Sequence, residues 1–275
     1  MTVQRIAAFS QDGAGGNPAG VVLGGSLPDP AAMQAIAAEV GYSETAFAAP
    51  EDGAWRVRYF APAMEVPFCG HATIALGAAL ALRHGDGLYD LRLNEGAITV
   101  AGWQAGGLRA ALQSPPTRST AADPALLADS LALFGFTPAA LDPRIPPSIA
   151  EAGARHLVLA LADREALAAM RYDLGEGAAL MAAAGLVTIA LVHAETPCLF
   201  HARNAFAAGG VAEDPATGAA AAALAGLLRD LGWPHGGAIE IHQGDDMGIP
   251  CRLHAAIPDR RGTSIRVSGQ ARIIG

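Results

Sequence analysis

Glu44 sits in Tyr42-Ser-Glu-Thr-Ala-Phe47, a carboxylate within a stretch whose aromatic and β-branched residues suit a half-buried strand. Burial disfavours the charged form, so a glutamate held there can take a proton as a general base and return it elsewhere as a general acid. The plainer alternative is an exposed strand glutamate. His71 lies between Gly70 and Ala72 at the entry to the alanine-rich run 74–82, and Asp214, before Pro215, stands at the entry to a second run, 219–228. At a helix start the dipole disfavours an imidazolium, which leaves His71 a neutral donor or acceptor, although alone it could simply be a capping residue. Asp214 is an N-cap by type and would also place an acceptor at the mouth of a cleft. Cys69 precedes a glycine at a helix start, a place that lowers a thiol pKa, although a single buried thiol is usually packing.

Two tight loops that each feed an apolar helix present unpaired backbone N–H groups at the positive end of a dipole, which is an anion site. Such a site would hold a substrate carboxylate without lysine or arginine. Thr73 and Thr217 could equally do no more than help cap core helices. The Ala-Thr pairs 72–73 and 216–217 lie 144 residues apart at matching places relative to their helices. This suggests an internal duplication of one α/β unit, and halves packed face to face would bring both helix starts to one cleft.

The elements that must position these residues are legible in part. Residues 3–9 and 20–23 read as strands joined by Gly13-Ala-Gly-Gly-Asn-Pro18. Pro18 stands where a dinucleotide fingerprint needs its third glycine, and no helix follows, so this is a strand-turn-strand. The spacing of Met33, Ile36, Ala37 and Val40 predicts a helix over Pro30–Val40, capped by Asp29 and ended by Gly41. Residues 56–60 alternate like a strand with one wet face, which places Glu44 in or beside a strand. Ser114-Pro-Pro116 and the polar stretch to Asp123 read as a linker, with a cut near residue 117. Beyond it, strands are expected at 155–161, 186–192, 198–206, 238–242, 251–257 and 264–274, with a helix at 163–170. Strands with single helices in this mixture suggest an α+β protein.

Composition removes several chemistries. Among 275 residues, 52% hydrophobic with a net charge of −8, there is no lysine; all 18 basic residues are arginine. A pyridoxal-phosphate Schiff base and a Walker-A loop both need a lysine. The acidic balance, with no arginine cluster beyond Arg260-Arg261, gives nucleic-acid phosphates no basic face. Three widely spaced cysteines with no secretory leader point to a reducing, cytoplasmic setting. The charge-free stretch 177–194 changes period midway, reading as a helix end and then a buried strand instead of a membrane span. The eight histidines include no H-x-x-x-H and the cysteines no ligand-spaced pair, so the sequence assigns no metal.

Five separated motifs, in order and in register, carry a resemblance: Gly16-Asn-Pro-Ala-Gly-Val-Val22, Tyr42-Ser-Glu-Thr-Ala-Phe47, Pro67-Phe-Cys-Gly-His-Ala-Thr73, Glu213-Asp-Pro-Ala-Thr-Gly218, and Gln243-Gly244 with Met247-Gly248. From about Phe9 to Gly269 the chain resembles the phenazine-biosynthesis PhzF-like isomerases. The resemblance implies the diaminopimelate-epimerase-like fold: two pseudo-symmetric α+β domains, each wrapping a curved, mostly antiparallel sheet around a central helix, with the active site between them. Here these would be 1–117, completed by 265–275, and 118–264. It implies that Glu44 shuttles a proton between two carbons of a small unsaturated carboxylic acid, that Asn17, Gly70, His71, Asp214, Thr217 and Gly218 bind and orient it, and that no cofactor takes part. A homodimer is the family expectation. Ala219 stands where a serine usually closes the Asp-Pro-Ala-Thr-Gly motif, Ile249 where an arginine often follows Met-Gly, and Ala7 where an aspartate is common, so the group bound is expected to differ from the phenazine precursor. Cys69 matches one of the two catalytic thiols of the related epimerases, while the second locus carries Asp214. A Cys69-assisted epimerase or racemase and a non-catalytic carboxylate-binding protein are the alternatives.

Overall fold

The computed structural model describes residues 2–94 and 96–274. The chain divides into two compact units: one runs to Gln113 and takes back the C-terminal stretch from Ser268, and the other is Ser114–Val267. Among the described residues no helix is long and apolar enough to cross a membrane.

In the first unit β1 (Gln4–Ser10) folds back antiparallel onto β2 (Asn17–Leu23). Gly13, Gly15 and Gly16 in the connection all take positive φ, and a side chain on Gly16 would come within 3.0 Å of the Ala8 carbonyl oxygen. The glycine run is therefore the hairpin connection. Helix α1 (Pro30–Val40) starts at Asp29, whose carboxylate accepts from the Ala32 N–H, and ends at Gly41 in the left-handed region. There follow β3 (Thr45–Glu51), parallel to β2; β4 (Ala54–Phe60), antiparallel to β3; and the short β5 (Glu65–Val66), paired with the end of β4.

Helix α2 (Gly70–His84) then enters, followed by a meander of β6 (Gly87–Arg92), β7 (Ala97–Trp103) and β8 (Arg109–Gln113). The C-terminal strand, Arg266–Ile273, pairs antiparallel with β1 through Gln270–Ile273. From Gly70 to Ala81 every residue of α2 is buried, against β1, β2, β3, β7 and β8. A helix enclosed on all sides needs small residues, which explains the alanine-rich run. At the tightest approach a Cβ on Gly102 would stand 2.1 Å from the Gly77 carbonyl oxygen. Helix α1 buries Met33 and Ala37 against Val22, Phe47 and Phe60.

The second unit repeats this order. It opens with β9 (Arg118–Ala121) and α3 (Pro124–Phe134), then β10 (Ser148–Glu151) antiparallel to β11 (Arg155–Ala160). Helices α4 (Arg164–Ala168) and α5 (Leu174–Ala184) lead to β12 (Thr188–Thr196), parallel to β11, and to β13 (Leu199–Ala205), antiparallel to β12. The short β14 (Glu213–Asp214) pairs with the end of β13, α6 (Gly218–Leu231) follows, and β15 (Ala238–Gln243) and β16 (Cys251–Ala256) form a hairpin. Helix α6 packs on β9, β10, β11, β15 and β16, while α3, α4 and α5 enclose a separate apolar cluster around Leu157, Met181 and Leu191. Each unit is thus a mostly antiparallel sheet on a central alanine-rich helix, the α+β, epimerase-like architecture.

Two expectations are corrected. The stretch after Ser114-Pro-Pro is no linker: Arg118–Ala121 forms β9, paired with β10, and Thr117 is buried where Gly226 of α6 lets it approach. Its polar residues are those of a largely exposed strand, not of free chain. At the central helices the repeat is offset by 148 residues, not 144, and in the strands before them by 145, because three more residues separate Ala205 from Glu213 than Phe60 from Glu65. Phe60 pairs with Glu65 as Ala205 pairs with Glu213; Arg58 binds Glu65 as Arg203 binds Glu213; and Gly70 and Gly218 each open a helix five residues after that glutamate. In that register Cys69 corresponds to Thr217 and Val66 to Asp214, and the matching Ala-Thr pairs are a coincidence of alanine-rich composition.

Candidate active site

In the first unit the structure brings together Glu44, Cys69 and His71. Glu44 is the residue before β3, and its carbonyl accepts from the Gly20 N–H of β2 (3.2 Å), which fixes the backbone between two parallel strands. Cys69 is the N-cap of α2, and His71 is the second residue of that helix. All three side chains are buried. The imidazole is held from both sides: Nδ1 lies 3.4 Å from Cys69 Sγ, and Nε2 lies 3.3 Å from Ser43 Oγ and 3.4 Å from Glu44 Oε2. The tautomer that serves these neighbours has the thiol donating to Nδ1 and the Nε2–H directed at Ser43 and Glu44. Although the imidazole is within ion-pair range, Glu44 Oε2 makes no aligned hydrogen bond and is shut off from solvent. A buried carboxylate oxygen with unused acceptor capacity is costly to the fold and available to chemistry.

Behind this group the entry of α2 is pinned by Tyr59 on β4. The phenol donates to Thr73 Oγ1 (2.7 Å), which donates in turn to the Cys69 carbonyl (2.7 Å). Burial pushes the Tyr59 phenol well above its ordinary value, so it stays a donor. Thr73 therefore bonds backward inside the first turn and does not cap the helix. Asn17, also buried, opens β2 opposite Ala8, on the strand that carries Gly20.

Asp214, Thr217 and Gly218 come together in the second unit. Asp214 is not the N-cap of α6: that position is Thr217, and its hydroxyl donates away from the helix to Asp214 Oδ2 (2.5 Å). Gln243, at the end of β15 and almost fully buried, accepts from the Thr217 N–H (3.2 Å) and donates to the Asp214 carbonyl (2.7 Å). Gly244 follows with positive φ, where a Cβ would come within 2.2 Å of the Ile249 carbonyl oxygen and 3.0 Å of that of Pro215.

The four outer helices α1, α3, α4 and α5 are each capped by an aspartate side chain: Asp29, Asp123, Asp163 and Asp173. Neither central helix has a side-chain cap. Backbone N–H groups left uncapped at a helix start suit an anion. Glu44, Cys69 and His71 also offer three donor atoms within 4.8 Å of one another, a set that could hold a metal ion.

Ser43, Tyr59 and Gln243 take part in this arrangement without a role assigned to them from the sequence, and Thr73, a candidate cap by its place, bonds back to the Cys69 carbonyl instead. Ser43 and Gln243 lie in the quoted motifs, so a signal existed. Tyr59 shows no motif, and only the packing of β4 on α2 reveals it.

The phenazine biosynthesis-like family model, PhzC-PhzF, matches residues 6–274. An uncharacterized isomerase of Deinococcus radiodurans is 33% identical, over 98% of this chain and 91% of the relative. The trans-2,3-dihydro-3-hydroxyanthranilate isomerase of Pseudomonas aeruginosa is 32% identical, over 96% of this chain and 94% of its own. Among solved structures, a PhzF-family phenazine biosynthesis protein of Bacillus anthracis superposes with a TM-score of 0.87 at 20% identity, over 99% of this chain and 96% of that one. A probable proline racemase of Agrobacterium radiobacter superposes with a TM-score of 0.68 at 11% identity, over 99% and 91%; both likenesses concern the fold alone. With the family match spanning nearly every residue and the relatives aligned end to end, the chain belongs to the phenazine biosynthesis-like PhzC-PhzF family and is an isomerase.

Proposed function

We propose that the chain catalyses a cofactor-independent proton transfer between two carbons of a small unsaturated carboxylic acid, with Glu44 as base and then acid. The observation that carries this reading is the buried Glu44 carboxylate, whose Oε2 stands beside His71 without an aligned hydrogen bond. Glu44 takes a proton from a C–H, the electron pair moves into the adjacent unsaturation, and Glu44 returns the proton at another carbon of the same system. No electron leaves the substrate, so no redox partner is needed. The dry site strengthens the electrostatic hold on the carbanionic intermediate, and the Glu44 proton exchanges with solvent over repeated reversible turnovers, so solvent hydrogen enters the substrate pool. His71 orients the carboxylate through Nε2.

Asn17, Gly70 and His71 in the first unit and Asp214, Thr217 and Gly218 in the second are assigned to holding the substrate, with uncapped helix N–H groups receiving its carboxylate. The Pseudomonas relative, by name an isomerase of a dihydro-hydroxyanthranilate, supports an unsaturated carboxylate as the class. Ala219 and Ile249 point to a member of that class without the groups a serine and an arginine would hold. A cytoplasmic homodimer belongs to the same reading, and sedimentation tests the oligomer.

A second reading has one observation in its favour: Cys69 Sγ lies 3.4 Å from His71 Nδ1, so a thiol activated by the imidazole could serve an epimerase as the second acid/base. One experiment separates the two. Wild type, Glu44→Gln and Cys69→Ser are incubated in heavy water with a panel of unsaturated and amino carboxylic acids, and deuterium incorporation is read by mass spectrometry. Label with wild type and Cys69→Ser but not with Glu44→Gln supports the isomerase reading. Label lost in Cys69→Ser supports the epimerase, and equal label in wild type and Glu44→Gln removes Glu44 from the chemistry.

A further inference from the structure

We infer that the second unit carries a divalent transition-metal site formed by His201, His242 and Asp245. β13 and β15 are parallel neighbours in which His201 lies directly opposite His242, their rings 5.4 Å apart. Asp245 opens the single turn Asp245–Met247 just beyond the end of β15. One nitrogen from each imidazole and one oxygen of Asp245 all lie within 4.8 Å of one another. Three donors about 2 Å from a common tetrahedral ion stand roughly 3.4 Å apart, so small side-chain rotations close the set.

A second feature points the same way. Each imidazole has its Nε2 on a carboxylate: His201 on Glu195 (2.5 Å) and His242 on Glu240 (2.6 Å). A carboxylate on one ring N–H fixes the tautomer that leaves the other nitrogen free to ligate, and it raises the basicity of that ligand. In His201 that other nitrogen, Nδ1, is buried with no hydrogen-bond partner. Arg252 donates to both oxygens of Asp245 (2.9 and 3.0 Å), which orients the carboxylate and leaves each oxygen a further lone pair. Glu195 and Glu240 offset the charge that Arg252 adds. Two imidazoles and one carboxylate select zinc, cobalt or nickel over magnesium or calcium, with the remaining coordination positions open to water.

Such an ion ties β13 to β15 and to the turn after it. Gln243, which holds Asp214 and Thr217, lies between His242 and Asp245, so the ion would brace the segment that shapes the start of α6. The separation of 41 positions between the two histidines conceals the site from any spacing rule, and the parallel register creates it.

The test uses the full-length chain without a histidine tag, stripped with a chelator and titrated with Zn2+ by calorimetry and with Co2+ by visible absorption. The expected result is one saturable ion per chain and a melting temperature that rises with Zn2+. Binding should be at least tenfold weaker in His242→Gln and in Asp245→Asn and unchanged in Cys69→Ser. A readout on wild type alone covers the case of a variant that does not fold: Zn2+ should protect His201 and His242 from diethyl pyrocarbonate, mapped by peptide mass. The site is overturned by no saturable binding at millimolar Zn2+, by full binding in both His242→Gln and Asp245→Asn, by protection confined to other histidines, or by loss of the ion in Cys69→Ser, which would assign it to the Glu44–Cys69–His71 group.

Discussion

Glu44 Oε2 and His71 Nε2 lie 3.4 Å apart with side-chain exposures of only 12% and 6%, so a carboxylate before a strand and an imidazole at a helix start share one dry space. The imidazole is fixed from its far side by Cys69 and from its near side by Ser43. This leaves Glu44 Oε2 as an atom that can take a proton without breaking a hydrogen bond of the fold. Glu44→Gln, which keeps the shape and loses the base, should lower kcat by ~10²–10⁴ while leaving the melting temperature equal or higher. His71→Gln should lower kcat by a smaller factor. A Glu44→Gln enzyme within tenfold of wild type in steady-state assays would remove the assignment.

Much of this arrangement is legible in the sequence, because its parts are local. Asp29 and Gly41 bracket α1 as their types predict, and the glycines after Phe9 require the turn that the chain makes. Glu44 and His71 can be singled out from their own neighbours. Partnership across the sheet is another matter: that Tyr59 braces the start of α2, or that Gln243 holds Thr217, depends on register between segments far apart in sequence. Helix α3 and the meander β6–β8 do not stand out in the sequence; Gly102 and Gly106-Gly107 break up the alternation in the meander, and tertiary packing on α2 supplies what local preference does not. The repeat register is hidden for the same reason, since alanine-rich helices match one another at several offsets, while the arginine-bound glutamate five residues before each central helix fixes it.

Gln243 offers a test of how the second locus is held. Its side-chain amide answers both the Thr217 N–H and the Asp214 carbonyl, and only 1% of the residue is exposed. Gln243→Leu fills the same space and removes both of these hydrogen bonds, at a cost of about 1–3 kcal/mol. Since Asp214 and Thr217 are assigned to substrate, KM should rise several-fold with kcat nearly constant. A fall in kcat at constant KM would instead place this locus among the groups that act in the transition state.

His156 sets an acid limit on the second unit. It is wholly buried on β11, with Nδ1 2.8 Å from Thr188 Oγ1 and Nε2 unpartnered, and burial lowers its pKa from 6.5 to about 4. Above the unfolded value both states are neutral and stability is fully present. Between pH 6.5 and 4 the unfolded chain takes up a proton that the folded chain refuses, so stability falls with pH by up to about 3 kcal/mol in total. Urea unfolding at pH 7 and pH 5 should show this loss in wild type, and His156→Asn should remove most of the difference. An unchanged pH dependence in the variant would assign the acid sensitivity to other groups.

The two halves of the repeat make a matched pair of ion pairs in unequal surroundings. Arg203 and Glu213 are 12% and 6% exposed, whereas Arg58 and Glu65 are 20% and 26% exposed. Arg203 also donates to the carbonyls of Ala168 (2.8 Å) and Met170 (3.1 Å), tying α4 and the chain after it to β13, while Arg58 lies over the Phe60 ring at 5.2 Å. Removing one partner of a buried pair strands the other charge, so Arg203→Met should cost about 3–5 kcal/mol. Arg58→Met exposes Glu65 to water that already reaches it and should cost ~1 kcal/mol or less. Chemical denaturation of the two variants side by side measures the difference. If the double variant Arg203→Met/Glu213→Gln regains much of the stability lost in Arg203→Met, the loss came from the stranded Glu213 carboxylate; if it regains none, the carbonyls of Ala168 and Met170 are what Arg203 chiefly supports.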